Sequence, residues 1–505
     1  MTAPRLTVVG HCTSDTARIL CCADPGAGAS RRVGRLAWRA SGRSGILDLP
    51  LTPAPPYEIG VFEVGNLPEA AQVTYGIVIG DDPASLPGAD RILETAGVHR
   101  FRLLPKHRPP RIALVSCNGA FEVKDERTRY DMWRRLRREI EAGNVDLIIH
   151  CGDQVYADKL VSRHTKMARA ATDADAAVKS LSEEYRRLYV GQSWNMPDVA
   201  AVLTSCPSIM MWDDHDIDDG WGSRAHDVKP WRRLFFSAAR RAFTEFQASL
   251  NPPGVDAGSL ACGFVHGGLA FLLLDGRSHR VYKEGCILGT AQLEVARKWL
   301  EALPGTVRRV YLVLGIPPIH AKLSTIVAVL KWVPIREDYA ADLRDAWVSR
   351  HNRGECAELM RVLFDFCDTR PGTDLTILSG DVHVANIGKL ERNRSGGEAG
   401  EADGRSAVVW QVTSSGIGSP PPDGLAGWLM EKVTRAPVDL GAGVQGKLIP
   451  ITLHEHDLMN RRNFALLKLD DGNGWHREDT LHVSLFGEAL QQPLAFMLPG
   501  RARAQ

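Results

Sequence analysis

The sequence predicts an α/β fold in which a small β-rich unit precedes one large unit of buried strands alternating with helices. Three observations carry this. Residues 5 to about 104 hold only short apolar or alternating runs, separated by Gly, Pro and Asp and without a helical period. A stiff, Pro-rich connection follows, from Leu103 to Pro110 (LLPKHRPP). Beyond it, continuous apolar runs of strand length alternate with amphipathic segments, which is α/β order.

The N-terminal runs are Leu6–Val9, Ala17–Cys21, Arg35–Trp38, Tyr57–Val64 and Val73–Ile79. Strands at this spacing suggest a small β-sandwich over residues 1–105. The large unit, residues 111–490, opens with a buried-type strand at Arg111–Ser116 (RIALVS). A helix is expected over Glu126–Ala142, with Tyr130, Trp133, Leu136 and Ile140 on one stripe. Further buried strands are expected at Val145–His150, Ser208–Trp212, Leu269–Asp275, Arg309–Gly315, Leu375–Ser379 and Val408–Thr413, with helices over 229–249, 290–302 and 354–367. Short strands at Ile451–Leu453, Phe464–Leu469 and Thr480–Phe486 could complete a sheet. Two tracts read as flexible, Met167–Ser180 and Glu391–Ser406.

Composition narrows the function. Sixty-one Lys+Arg against 60 Asp+Glu leave a formal charge of +1, which argues against a protein that grips nucleic acid through bulk electrostatics. No run approaches the ~18–20 apolar residues of a membrane span. The opening MTAPRLTVVGHCTSD has neither a charged segment leading into an apolar one nor a twin arginine, so no export signal is expected. Ten cysteines without a CxxC or regular spacing do not read as a disulfide framework. A cytoplasmic protein is the expectation.

The polar residues of interest follow the buried strands, at the ends where open α/β sheets place ligands. The strand ends read Ser116-Cys117-Asn118-Gly119, Cys151-Gly152-Asp153-Gln154-Val155-Tyr156, Trp212-Asp213-Asp214-His215-Asp216, Asp275-Gly276-Arg277-Ser278-His279-Arg280 and Ser379-Gly380-Asp381-Val382-His383. Asp213, Asp214, Asp216, Asp218 and Asp219 place five carboxylates in seven positions. Most such runs are solvated turns, but Ile209–Trp212 and Trp221 bracket this one with apolar residues. Half-buried like charges call for a cation, and a bound metal is the usual one. An EF-hand is excluded, because Asp219 stands where its glycine belongs and Ala225 where its glutamate belongs. Taken singly, Gly152-Asp153 is compatible with a plain turn, and Cys117 with a buried apolar residue. Taken together, Cys, Asp, Tyr and His from separate strand tips are the mixed donors of a binuclear centre.

Two other signals carry nothing. Gly441–Leu448 (GAGVQGKL) has P-loop spacing, but Leu448 replaces the Ser/Thr that would hold magnesium, and no buried strand precedes it. No GxSxG nucleophile elbow occurs. The Arg134-Arg135 and Arg137-Arg138 pairs read as the solvated face of their helix.

The strand-end motifs resemble those of the calcineurin-like metallophosphoesterase superfamily, and more narrowly of PhoD-type alkaline phosphatases, over about residues 111–486. The N-terminal β unit resembles the sandwich that precedes the catalytic domain there. The resemblance implies a four-layer αββα catalytic domain and a centre of Fe3+ with Ca2+, the wider superfamily using Mn2+ or Zn2+ pairs. It implies Cys117, Asp153, Tyr156, Asp214, Asp381 and His383 as metal ligands, with Asp153 bridging. It implies His215 as the catalytic histidine and Arg277 and Arg280 as the residues facing phosphate. The chain departs from the superfamily pattern at Gly315–Pro318, where a metal-binding His is expected and none occurs; His320 lies close by.

The resulting expectation is in-line hydrolysis of a small-molecule phosphomonoester or phosphodiester by a metal-activated water, with His215 protonating the leaving oxygen. A catalytically weak or inactive metal-binding scaffold is the alternative. Pocket width is expected to depend on loops 157–200 and 317–353. In the second, Trp332, Tyr339 and Trp347 either line an entrance or pack the loop down.

Overall fold

The structure, a computed structural model, describes residues 1–26, 31–95, 97–281, 284–320, 346–392, 407–422, 436–451, 457–470 and 479–500. The N-terminal residues form β1 (Leu6–Cys12), β2 (Ala17–Ala23), β3 (Val33–Ala40), β4 (Arg43–Pro50), β5 (Thr52–Ala54), β6 (Tyr57–Val64), β7 (Gln72–Gly80) and β8 (His99–Arg102), with helix α1 (Ala89–Thr95) between the last two. They make two antiparallel four-stranded sheets, ordered β1-β2-β6-β5 and β4-β3-β7-β8. Ile19, Cys21 and Phe62 of the first sheet share a buried cluster with Leu36, Tyr75 and Ile77 of the second.

The rest of the chain supplies β9 (Ile112–Val115), α2 (Asp131–Glu141), β10 (Leu147–Cys151), α3 (Asp158–Ala170), α4 (Ala174–Leu188), α5 (Pro197–Ser205), β11 (Ser208–Met211) and α6 (Pro230–Phe246). It continues with β12 (Cys262–His266), β13 (Leu269–Leu273), α7 (Thr290–Glu301), β14 (Arg309–Leu314), α8 (Arg353–Thr369), β15 (Asp374–Ser379), β16 (Asn386–Arg392) and β17 (Val408–Thr413). It ends with β18 (Val438–Gly441), β19 (Val444–Leu448), β20 (Asn463–Leu469), β21 (Leu481–Gly487) and β22 (Leu494–Leu498). One sheet has the order β11-β10-β9-β20-β21-β22 and the other β12-β13-β14-β15-β17-β16-β19-β18. The strands nearest the site, β9–β10–β11 and β13–β14–β15–β17, are parallel.

Alternate residues along these strands enter different cores, as the two-residue period of a strand requires. Leu114, Ile149 and Ile209 meet Phe271, Leu273 and Val313 in one cluster, where the two sheets face each other. Val115, Ile148 and Met210 turn to Trp133, Val202, Tyr185 and Phe243 on α2, α5, α4 and α6. Leu272, Leu312 and Ile377 turn to Leu293 on α7 and Leu363 on α8. Burial on both faces is why these strands read as unbroken apolar runs. β20 pairs with β9, so the returning C-terminal strand extends the first sheet.

Several sequence expectations are corrected. Met167–Ser180 is not flexible: it is the end of α3, a short turn and the start of α4. Asp173 caps α4 by accepting the Ala176 N–H at 3.0 Å, alanine favours helix, and Ala177, Leu181 and Tyr185 are buried beyond the cap. Residues 157–200 are therefore mostly helix rather than loop. Helix α2 starts at Asp131, not Glu126, because Asp125 closes a turn by accepting the Arg127 N–H at 3.1 Å. Gly441–Leu448 spans the hairpin of β18 and β19, with positive φ at Gly441, Ala442 and Gly443. Trp347 is buried and donates from Nε1 to the Ile316 carbonyl at 3.0 Å, packing its segment down. Trp332, Tyr339, Leu453 and most of the Glu391–Ser406 tract lie outside the described residues. Among the described residues no helix is long and apolar enough to cross a membrane.

Candidate metal centre

The segments after β9, β10, β11, β13, β15 and β17 converge at the C-terminal ends of the parallel strands, between the two sheets. Asp153, Asp213, Asp214 and Asp381 each bring one carboxylate oxygen to within 4.8 Å of the others. Asp153 and Asp214 form a second such group with His215. Cys117 joins through Asp153, donating from Sγ to Oδ2 at 3.3 Å. The Tyr156 hydroxyl lies 3.3 Å from His383 Nε2. Cys117 thus touches the carboxylate cluster directly, while the Tyr156 phenol and the His383 imidazole touch each other.

Backbone strain marks the same residues. Cys117, Asp153, Asp381 and His383 have φ of 58°, 57°, 68° and 53°, in the left-handed region that non-glycine residues avoid. Each such residue costs roughly 1–3 kcal/mol and persists only where the surroundings over-determine it. Gly152, with φ of 91°, lets the β10 tip pass Asp213: a Cβ there would meet the Asp213 Cβ at 2.4 Å.

The acidic run divides its labour. Asp213 and Asp214 enter the cluster. Asp216 is a buried clamp whose Oδ2 accepts the N–H of Asp153 at 2.8 Å and of Asp213 at 3.0 Å, tying two strand tips together. Asp218 pairs with Arg232 at 2.6 Å, and Asp219 with Arg224. Burial pushes the Asp216 carboxyl up to about 7 against the pull of those two backbone bonds.

Arg277 is fully buried and engages Asp213 through Nε, with Asp214 at 3.4 Å and Asp381 at 3.7 Å from its terminal nitrogen. Burial alone would raise Asp214; Arg277 and His215 outweigh it and hold the carboxyl at about 2. Asp153 is pushed well above the usual carboxylate range by burial and by the neighbouring Cys117 and Asp214. Arg280 is also buried and lies across Gly222, where a Cβ would meet its side chain at 2.6 Å.

His215 stacks on the Tyr156 ring, centroids 4.2 Å apart, and its Nδ1 lies 3.0 Å from both oxygens of Asp158. Burial disfavours the imidazolium, but Asp158 and Asp214 outweigh it and carry the pKa well above its ordinary value. His383 is the opposite case: burial, then the charge of His215, lowers it to about 4, leaving a neutral imidazole of the kind metals bind.

The position where the superfamily pattern calls for a further histidine is filled differently. A Cβ on Gly315 would come 2.7 Å from Asp213 Oδ2, so the Asp213 carboxylate occupies the space a side chain at 315 would need. His320 is half-buried two residues past Pro318, and desolvation of its ring lowers it to about 4.

Sequence reasoning missed three groups. Asp158, which holds His215, sits two residues beyond the Tyr156 that the motif ended on. Asn118 accepts the Trp133 Nε1 hydrogen at 2.8 Å and donates to Ser193 at 2.7 Å, anchoring the β9 tip. Ser415 and Ser419, after β17, touch the site directly, and Ser414 beside them bonds Asn463; the signal was available as a polar run, Thr413-Ser414-Ser415-Gly416, closing a buried strand.

The donor set fits a metal centre: oxygen, nitrogen and sulfur atoms on six strand-tip residues, four of them in left-handed backbone. Comparisons agree with the geometry. A solved structure of PhoD superposes with a TM-score of 0.60 and 14% identity, covering 99% of this chain and 93% of that one, a likeness of fold. The uncharacterized protein YGR266W of Saccharomyces cerevisiae is 23% identical over 452 aligned residues, which take in 69% of this chain and 64% of that protein. The chain therefore spans less than two thirds of that relative's length. The PhoD-like phosphatase family matches residues 112–438, well over half of the 505 residues and every strand tip described above, and the chain belongs to that family.

Proposed function

We propose that the protein is a metal-dependent phosphoric ester hydrolase whose active site is this strand-tip cluster. The observation that carries the reading is the gathering of Asp153, Asp213, Asp214 and Asp381 within 4.8 Å, beside Cys117, Tyr156 and His383. Cys117, Asp153, Tyr156, Asp214, Asp381 and His383 would hold the metals, with Asp153 between them. Fe3+ with Ca2+ is the proposed pair, from the resemblance of the strand-end motifs, with Mn2+ or Zn2+ as the alternative; a thiol and a phenol in one donor set favour a trivalent or soft ion over Mg2+. Bound cations supply Lewis acidity toward phosphoryl oxygen and lower the pKa of a coordinated water.

The chain's own residues do the rest. Asp158 fixes the ring of His215 by accepting from Nδ1, which leaves Nε2 to pass a proton to the leaving oxygen of the ester. Arg277 and Arg280 are assigned to the equatorial phosphoryl oxygens through charge-assisted bonds. Arg277 also ties three carboxylates of the cluster, so substituting it would disturb both substrate and cluster.

The same reading takes residues 1–105 as a β-sandwich domain and 111–490 as a four-layer αββα catalytic domain. The supporting observations are the cluster shared by the two N-terminal sheets and the sorting of alternate strand residues between sheet-facing and helix-facing cores. A small-molecule phosphate ester is the proposed substrate, monoester or diester. A cytoplasmic location is supported by ten cysteines, none of them in a disulfide.

Asp153→Ala and Asp381→Ala test the function. Metal content is measured beside hydrolysis of an aryl phosphate and an aryl phosphodiester. Loss of both metal and turnover is expected. Undiminished turnover in a metal-depleted variant would refute the mechanism, and metal uptake by the wild type without turnover on either ester would favour the scaffold alternative.

A further inference from the structure

The loop after β17, residues 413–419 (TSSGIGS), reaches the three donors that are not carboxylates. Ser415 Oγ accepts the His383 N–H at 2.8 Å and lies 3.1 Å from Cys117 Sγ. Ser419 Oγ accepts the Gly119 N–H at 2.9 Å and lies 2.6 Å from the Tyr156 hydroxyl, which is itself 3.3 Å from His383 Nε2. Both serines are fully buried.

The loop is built for this contact. Ser419 and Gly418 donate their N–H groups to the Cys117 carbonyl at 3.0 and 3.1 Å, and Ile417 donates to Ser116 at 3.0 Å. Gly418 permits the approach, since a Cβ there would meet Ala120 N and the Asn118 carbonyl carbon at 2.8 Å. From behind, Asn463 accepts the Ser414 hydroxyl at 2.8 Å and the Ser415 N–H at 3.1 Å, and donates to the Ser415 carbonyl. These bonds hold Cys117 and His383 in left-handed backbone.

Proton accounting gives the serines one role. A hydroxyl has one hydrogen to donate. In each serine a backbone N–H already occupies an acceptor position on the oxygen. Deprotonated to hold a cation, the Cys117 thiolate and the Tyr156 phenolate have no hydrogen to give, so each hydroxyl hydrogen goes to the ligand atom, Cys117 Sγ for Ser415 and the Tyr156 oxygen for Ser419. We infer that Ser415 and Ser419 are positioning residues of the metal centre, donating to the thiol and phenol donors in the orientation that a coordinated cation requires. This rests on the reading of the cluster as a metal centre, and it adds a second layer of residues that orients the ligands.

The test uses the full chain, purified metal-free and titrated with Zn2+ against a chromophoric chelator, with thermal melting followed in parallel. Ser415→Ala and Ser419→Ala are compared with Ser414→Ala, whose hydroxyl bonds Asn463 and no ligand. The expected result is a Zn2+ affinity weaker by roughly ten- to a hundred-fold in the first two. Ser414→Ala is expected to lower the melting temperature and leave affinity as in the wild type. Should Ser415→Ala fail to fold, Ser419→Ala decides. Wild-type affinity in the Ala variants, or an equal loss in Ser414→Ala, overturns the inference. No uptake by the wild type of either Zn2+ or Fe3+ with Ca2+ overturns the metal-centre reading itself and the inference with it.

Discussion

Gly152→Ala measures how tightly the site is built. Gly152 has φ of 91°, and an added Cβ would sit 2.4 Å from the Asp213 Cβ and 3.1 Å from its backbone nitrogen. The backbone conformation alone costs an L-residue roughly 1–2 kcal/mol. The collision adds a further cost of about 1–3 kcal/mol, typical of an extra methyl forced into a packed interior. Asp213 can retreat only by loosening its N–H bond to Asp216 and its contact with Arg277, so relief in one place breaks a contact in another. The expected destabilisation is about 2–5 kcal/mol. Gly42→Ala is the internal control, because Gly42 has φ of 76° with nothing within 4 Å of its Cβ position and should show the backbone term alone. Urea unfolding of both variants, with the slope checked for constancy, gives the two values. If Gly152→Ala costs no more than Gly42→Ala, the close approach of the β10 and β11 tips does not hold the site together.

Three other outcomes follow from the same structure. Asp216→Ala strands the buried N–H groups of Asp153 and Asp213, at about 1–3 kcal/mol each, and should lower stability by about 2–6 kcal/mol in the same unfolding assay. Gly315→Ala should reduce metal content with little loss of fold, because its methyl displaces the Asp213 carboxylate rather than backbone; elemental analysis with a circular-dichroism melt checks this. Asp146 gives a pH signature far from the site. Burial would raise its carboxyl, but hydrogen bonds from Arg111 and Arg108 outweigh this and lower it from 3.8 to about 2. Its folded pKa lies below its unfolded one, so its contribution, roughly 2 kcal/mol, is present above about pH 4 and lost as pH falls toward 2. Asp146→Asn should flatten the stability curve across that window, and an unchanged slope would refute the assignment.

Much of the fold was legible because its signals are local. Arg309–Leu314 is a strand buried on both faces and Val408–Thr413 one buried along one face and half-buried on the other, and apolar runs of that length have few other readings. Met167–Ser180 misled because Ala and Asp are shared by flexible tracts and capped helices. The capping bond of Asp173 and the apolar face behind it separate the two, and both are tertiary facts. In the acidic run the sequence showed five carboxylates without ranking them. Only the approach of Arg232, Arg224 and the Asp153 N–H separates the clamp and the arginine-paired carboxylates from the two residues that join the cluster.

By itself, the sequence determined the buried core strands of the large unit, five of the six strand ends that meet at the site and the kinds of donor atom those five offer, since each is written within a few residues of its strand. The tertiary structure alone decided which donors meet, that Asp153 joins Cys117 to the carboxylate cluster, that Arg277 is buried against three acids, and that serines after β17 contact Cys117, Tyr156 and His383. These are contacts between residues up to about three hundred positions apart, and no local period or spacing encodes them; they exist only once two sheets have packed face to face and brought their strand ends to one place.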